Sequence, residues 1–232
     1  RAHHRWAGAA CGAAGTVYGY RCGHTDRDVM SRHPDRKQEI LEVLARELES
    51  SPGSRVTTAS LAAAVGVSEA ALYRHFASKA KMFEALIEFA ETTVFGLASR
   101  ILTEQPDAEA RCRHIFGMTL MFAERNPGIA RVLLGDALVG ENVRLRARVG
   151  QFFERLEMQF RQILKEARAQ QVALAGPQPG EFSALMVSVL IGKIDRYART
   201  DFRQKPTEDW EAQWAVLRAG GFAGAGPNRG SA

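Results

Sequence analysis

Apolar residues recur about every three or four positions along this chain, from Ile40 to Leu217, and no segment alternates with the two-residue period of a strand. Each stripe is one face of a helix, so the pattern specifies an all-α fold of about eight or nine helices, cut apart by proline, glycine and N-cap residues. No internal repeat of solenoid length runs through it.

Ile40, Leu41, Leu44 and Leu48 mark a first helix from Asp35 to Ser50, with Pro34 in its first turn and Ser51-Pro52-Gly53-Ser54 ending it. Thr57 or Thr58 caps a short helix holding Leu61, Ala62 and Val65, Gly66 closes that helix in a tight turn, and Ser68 caps a third, Glu69 to His75. Ser78 begins a longer helix whose face runs through Met82, Phe83, Leu86, Ile87, Phe89 and Val94 to about Leu102. Asp107 caps the next helix, to Arg125, and Asn126-Pro127 repeats the pairing of cap and first-turn proline for a short helix with Ile129, Val132 and Leu133.

Farther on, Leu145, Val149, Phe152, Leu156, Phe160 and Ile163 predict one long helix from Glu141 to Gln171. Phe182 to Arg199 is apolar on nearly every side, which predicts a helix buried in the body or across a subunit interface. The last helix is expected from Pro206 to Arg218. Residues 1–30 read as a disordered or artefactual leader, 35–82 as a compact N-terminal domain, 83–218 as a larger helical body and 219–232 as a Gly-rich tail.

A hydrophobic content of 46% supports a packed core, and 31 Lys and Arg against 26 Asp and Glu leave a formal charge of +5. That excess points to an anionic partner, either nucleic acid or a membrane surface. No apolar run is long enough to span a bilayer, so membrane contact would fall to exposed basic residues such as Arg144, Arg146 and Arg148, which more simply decorate a long helix. Cys11, Cys22 and Cys112 are too few and scattered for a disulfide framework and suit a reducing cytoplasm. Cys22 and His24 near Cys11, His3 and His4 lack metal-ligand spacing, so no metal or other cofactor is expected. The nucleophile-elbow, zinc-protease and phosphate-loop signatures of common enzymes are missing.

Chemistry concentrates in Thr57 to Phe76, TTASLAAAVGVSEAALYRHF, which has the layout of a helix-turn-helix. Small residues Ala62, Ala63 and Gly66 allow the two helices to pack closely, and the second helix is then presented to the DNA major groove. Thr57 and Thr58 are candidates for phosphate contact or simple capping; Ser68, Glu69 and Ala70 for base edges; Ala71 for a thymine methyl. Arg74 reaches a base or a phosphate, Tyr73 and His75 a phosphate, and Lys79 and Lys81 with Arg32, Arg36 and Lys37 supply a basic surround. Leu72 and Phe76 are core positions.

VTTASLAAAVGVSEAALYRHFASKAKMFEAL resembles the DNA-binding domain of the TetR family. ELESSPGSRVTT, LIEFAE, FAERNPGIARVL, QFFERLEMQFRQILKE and KPTEDWEAQW extend the likeness, over about Arg36 to Leu217, to the nucleoid occlusion branch of that family. The resemblance implies a TetR-like fold with a C-terminal dimerisation domain, a non-enzymatic homodimer on palindromic sites of double-stranded DNA, and a second partner, the division protein FtsZ. It places Phe89, Arg125 and Asn126 on the partner-binding body, where Arg125 suits an acidic peptide. The alternative within the same fold is a ligand-responsive transcriptional repressor with a small-molecule pocket in its helical body.

Overall fold

The structure is a computed structural model that describes residues 36–50, 55–170 and 177–222. The leader, Arg32, Pro34, the Ser51–Ser54 break, Cys11, Cys22 with its neighbouring histidines, and residues 223–232 of the expected Gly-rich tail lie outside the described residues, whereas residues 219–221 continue the last helix instead of starting that tail. Among those described there are helices and no strands: α1 (Arg36–Ser50), α2 (Thr58–Val65), α3 (Glu69–His75), α4 (Lys79–Glu104), α5 (Ala108–Arg125), α6 (Pro127–Leu134), α7 (Val143–Ala169), α8 (Pro179–Arg199) and α9 (Trp210–Gly221), with a single 3-10 turn at Asp136–Leu138. The all-α expectation holds. None of the helices is long and apolar enough to cross a membrane.

Two compact units divide the chain. The first contains residues 36–93 and, returning later in sequence, Arg125–Arg146. Its core joins Ile40, Leu44 and Leu48 of α1 with Leu61, Leu72, Phe83, Leu86 and Ile129, all nearly inaccessible to solvent. α6 is bound tightly to α1. The buried Arg131 guanidinium donates to the Leu48 carbonyl at 2.7 Å and to Asp136 at 2.7 Å. A carbonyl in the last turn of a helix has no partner within the helix, so this arginine satisfies an acceptor that burial would otherwise leave costly.

The second unit contains Val94–Glu124 and residues 147–222. Its aromatic centre is Phe116, stacked on Trp210 with ring centroids 4.3 Å apart, while the Trp214 indole N–H donates to Glu109 at 2.8 Å. Tyr197 closes a second polar link, its hydroxyl donating to the Glu124 carbonyl at 3.0 Å. α8 buries Phe182, Met186, Leu190 and Ile194, but Leu185 on the same helix is half exposed.

Two local expectations need correction. The last helix starts at Trp210 rather than Pro206, because the chain between α8 and α9 is a run of turns in which Asp201, Phe202 and Asp209 take positive φ. Asn126 stands at the N-cap position of α6, but its side chain makes no capping hydrogen bond there. By contrast, Thr57, Ser68 and Asp107 all cap as expected, accepting from Ser60, Ala71 and Ala110 respectively.

Cys112 is fully buried, and burial, reinforced by the Asp107 and Glu109 carboxylates, pushes its thiol far above the ordinary range. A thiol held neutral is a poor nucleophile. Iodoacetamide at about pH 8, near the ordinary thiol value, is therefore expected to leave the Cys112 peptide unmodified in the native protein and to label it after denaturation, as read by peptide mass spectrometry.

Candidate DNA interface

The helix-turn-helix is fixed at each of its joints by local chemistry. Thr57 and Ser60 form a reciprocal capping box: the Thr57 hydroxyl oxygen accepts from the Ser60 amide at 3.0 Å, and the Thr57 amide donates to Ser60 Oγ at 3.1 Å. Gly66 ends α2 at φ 77°, a left-handed conformation that favours glycine, and its amide and that of Val67 donate to the Ala63 and Ala62 carbonyls. Ser68 then starts α3 with an extended backbone and a 3.2 Å bond from the Ala71 amide. Leu72 is wholly buried and Phe76 nearly so, which anchors α3 by one side.

Burying Leu72 fixes what the rest of α3 presents. Glu69, Ala70, Tyr73 and Arg74 are exposed, with Ala70, Tyr73 and Arg74 sharing one helical face, while Ala71 and His75 are half-buried at its margins. A tyrosine 44% exposed beside an exposed arginine, on a short helix with two rigid caps, is a surface built for contact rather than for core. Its chemistry suits the edge of a duplex: a small side chain allows close approach, a guanidinium matches phosphate or guanine, and a phenol reaches the backbone.

Of the two candidate threonines, Thr57 is engaged in the capping box and Thr58 donates its hydroxyl to Glu69 at 2.7 Å. Thr58 therefore joins α2 to the start of α3 and orients the Glu69 carboxylate. The basic surround is paired in the free chain: Arg36 with Glu39 and Lys81 with Glu84 are exposed neighbours on their own helices, at 2.7 and 2.5 Å. Such exposed pairs are worth little and yield readily to a phosphate. Lys79 differs, because its partner is Glu141 from the segment before α7, at 2.7 Å.

The three residues expected on a partner surface, half-buried Phe89, Arg125 and Asn126, fall within the same compact unit as the helix-turn-helix. Arg125 is the last residue of α5 and Asn126 precedes Pro127 of α6. Among the described residues no group of three or more metal-ligating side chains comes together.

Comparison with known proteins decides the lineage. Residues 40–86 match the family described as bacterial regulatory proteins, tetR family, and residues 106–220 match the tetracyclin repressor-like, C-terminal domain of SlmA-like proteins. The chain is 50% identical to the nucleoid occlusion factor SlmA of Colwellia psychrerythraea, over 80% of its own length and 94% of that protein's. It is 48% identical to the SlmA of Alteromonas mediterranea, over 79% and 94%. The chain belongs to the SlmA family of nucleoid occlusion factors. Its TetR-type fold is shared with the MbdR regulator of Azoarcus sp. CIB, which superposes with a TM-score of 0.69 over 82% of this chain and 99% of that one, at 16% identity. Such a distant likeness bears on fold alone, so the SlmA relatives favour nucleoid occlusion over the ligand-responsive repressor.

In this SlmA-family chain, sequence reasoning passed over Ser60, Arg55 and Glu141. Ser60 had a signal, since a serine at the third helical position can reach back to the cap amide. Glu141 had none: it bonds a lysine 62 positions away, beyond any local pattern.

Proposed function

We propose that this nucleoid occlusion factor binds specific palindromic chromosomal sites as a homodimer and, while bound, antagonises assembly of FtsZ polymers over the nucleoid, acting from the cytoplasm. The observation that carries the DNA half is the exposed Ala70, Tyr73 and Arg74 face of α3, held out by a buried Leu72 and capped at its start by Ser68. Glu69 and Ser68 address base edges beside it, Ala71 a thymine methyl, and His75 and the α2 N-terminus the backbone. A second copy is supported by Leu185, Met158 and Val216, large apolar side chains that a single chain leaves at least half exposed.

Phe89, Arg125 and Asn126 are the proposed contact for FtsZ, with the Arg125 guanidinium receiving a carboxylate. Sedimentation of FtsZ polymers with the purified protein, with and without a palindromic duplex, tests the whole reading. Less polymer in the pellet when DNA is present supports it; a pellet indifferent to DNA rejects the DNA-coupled inhibition. In the same assay Arg125→Glu is expected to weaken inhibition about fivefold, the order of one charged contact reversed, while leaving duplex binding measured by fluorescence anisotropy at its original strength.

A further inference from the structure

Glu141 lies between the Asp136–Leu138 turn and α7. Its Oε1 accepts from Lys79 Nζ at 2.7 Å and stands 3.5 Å from Arg55 Nη2, which also donates to the Gly140 carbonyl at 3.2 Å. These two cations bracket the helix-turn-helix: Arg55 precedes the Thr57 cap, and Lys79 is the first residue of α4, directly after α3. One carboxylate thus gathers both flanks of the DNA-reading element.

The pairing differs in kind from those at Arg36 and Lys81. Glu141 is 9% exposed and Lys79 16%, with Nζ also 5.5 Å from the Phe83 ring, whereas Arg55 is 65% exposed and faces solvent. A carboxylate so enclosed is weakly screened by water and salt, and its field reaches whatever anion approaches the same cations. Phosphates at the flanks of a helix-turn-helix are such anions. They must either draw Lys79 and Arg55 away from Glu141 or bind beside cations already neutralised, and both routes cost affinity.

We infer that Glu141 is an internal competitor of the DNA backbone, occupying the Lys79 and Arg55 cations and so holding down sequence-independent affinity without touching a base. Backbone contacts contribute alike to every duplex, so the carboxylate lowers specific and random binding by a common factor. The ratio of specific to random binding is left as it is, and what falls is the total share of the protein held on DNA.

This inference rests on the DNA-binding reading, and a random duplex serves as the probe. Glu141→Gln keeps an oxygen acceptor for Lys79 and removes the charge. By fluorescence anisotropy on a random duplex of about 30 base pairs, it is expected to bind about three times more tightly than wild type at near-physiological salt, with a salt dependence steeper by about 0.9 for each phosphate recruited. Adding Lys79→Met should remove most of that gain. Glu141→Asp, which withdraws the carboxylate by one methylene while keeping its charge, should shift affinity the same way by a smaller step and covers the case in which the glutamine variant fails to fold. A purely structural role predicts the opposite sign, weaker binding with a lower melting temperature, and that result or an unchanged affinity and slope overturns the inference. Failure of wild-type protein to bind any duplex at low salt would instead reject the DNA-binding reading itself.

Discussion

Gly128→Ala is expected to destabilise the first compact unit by about 3 kcal/mol, lowering the melting temperature by about 6–12 °C for a chain of this size. Ordinary helix chemistry argues for the reverse, since alanine is the better helix former by about 1 kcal/mol. The position decides otherwise. A Cβ built on Gly128 would sit 2.0 Å from the Ala45 carbonyl oxygen and 2.9 Å from its carbon, both backbone atoms that cannot rotate aside. Relief requires α6 to move off α1, and that movement would stretch the Arg131 bond to the Leu48 carbonyl and open the space around Ile129 and Leu44. Thermal unfolding followed by far-UV circular dichroism gives the answer. An alanine variant melting at or above the wild-type temperature would mean that the close approach of α6 to α1 is not maintained in solution.

The same contact explains where sequence reading stopped. Caps and periodicities are local, so Thr57, Ser68, Asp107, the Gly66 turn and the helix-turn-helix are all readable within a few residues. Packing of α6 on α1 is not: it joins Arg131 to Leu48 across 83 positions, and nothing in NPGIARVL announces that its glycine faces a backbone or that its arginine is 4% exposed. The start of α9 lies beyond local signals for a related reason. Pro206 has a first-turn signature, but Asp201, Phe202 and Asp209 adopt left-handed backbone conformations that a propensity argument disfavours, and buried Trp210 and Trp214, packed with Phe116, set the helix start instead. For the candidate interface, residue types point to Tyr73 and Arg74, which are exposed, and to His75, which is half-buried, whereas the engaged neighbours, Thr58 on Glu69 and Lys79 on Glu141, emerge only in three dimensions.

Arg74→Ala is expected to weaken duplex binding by about 2 kcal/mol, roughly thirtyfold, without disturbing the fold. Arg74 lies in the last turn of α3, away from the N-terminal residues proposed to meet base edges, and is exposed beside Tyr73. From there a guanidinium addresses phosphate, so the loss should be uniform across sequences and the dependence of log affinity on log salt should fall by about 0.9. The magnitude exceeds that of an ordinary surface charge because a fork of N–H donors binds phosphate at two points. Thr57→Ala is a less clean probe of the same surface: removing the capping-box hydroxyl costs about 1 kcal/mol of local stability whether or not DNA is present. Arg74 makes no capping bond among the described residues, so its truncation reads the interface directly. Anisotropy titrations on a palindromic and a random duplex at several salt concentrations separate the outcomes. An equal loss on both duplexes with a shallower slope places Arg74 on the backbone, and a loss confined to the palindrome moves it to a base edge. Unchanged affinity on both would remove the exposed face of α3 from the interface.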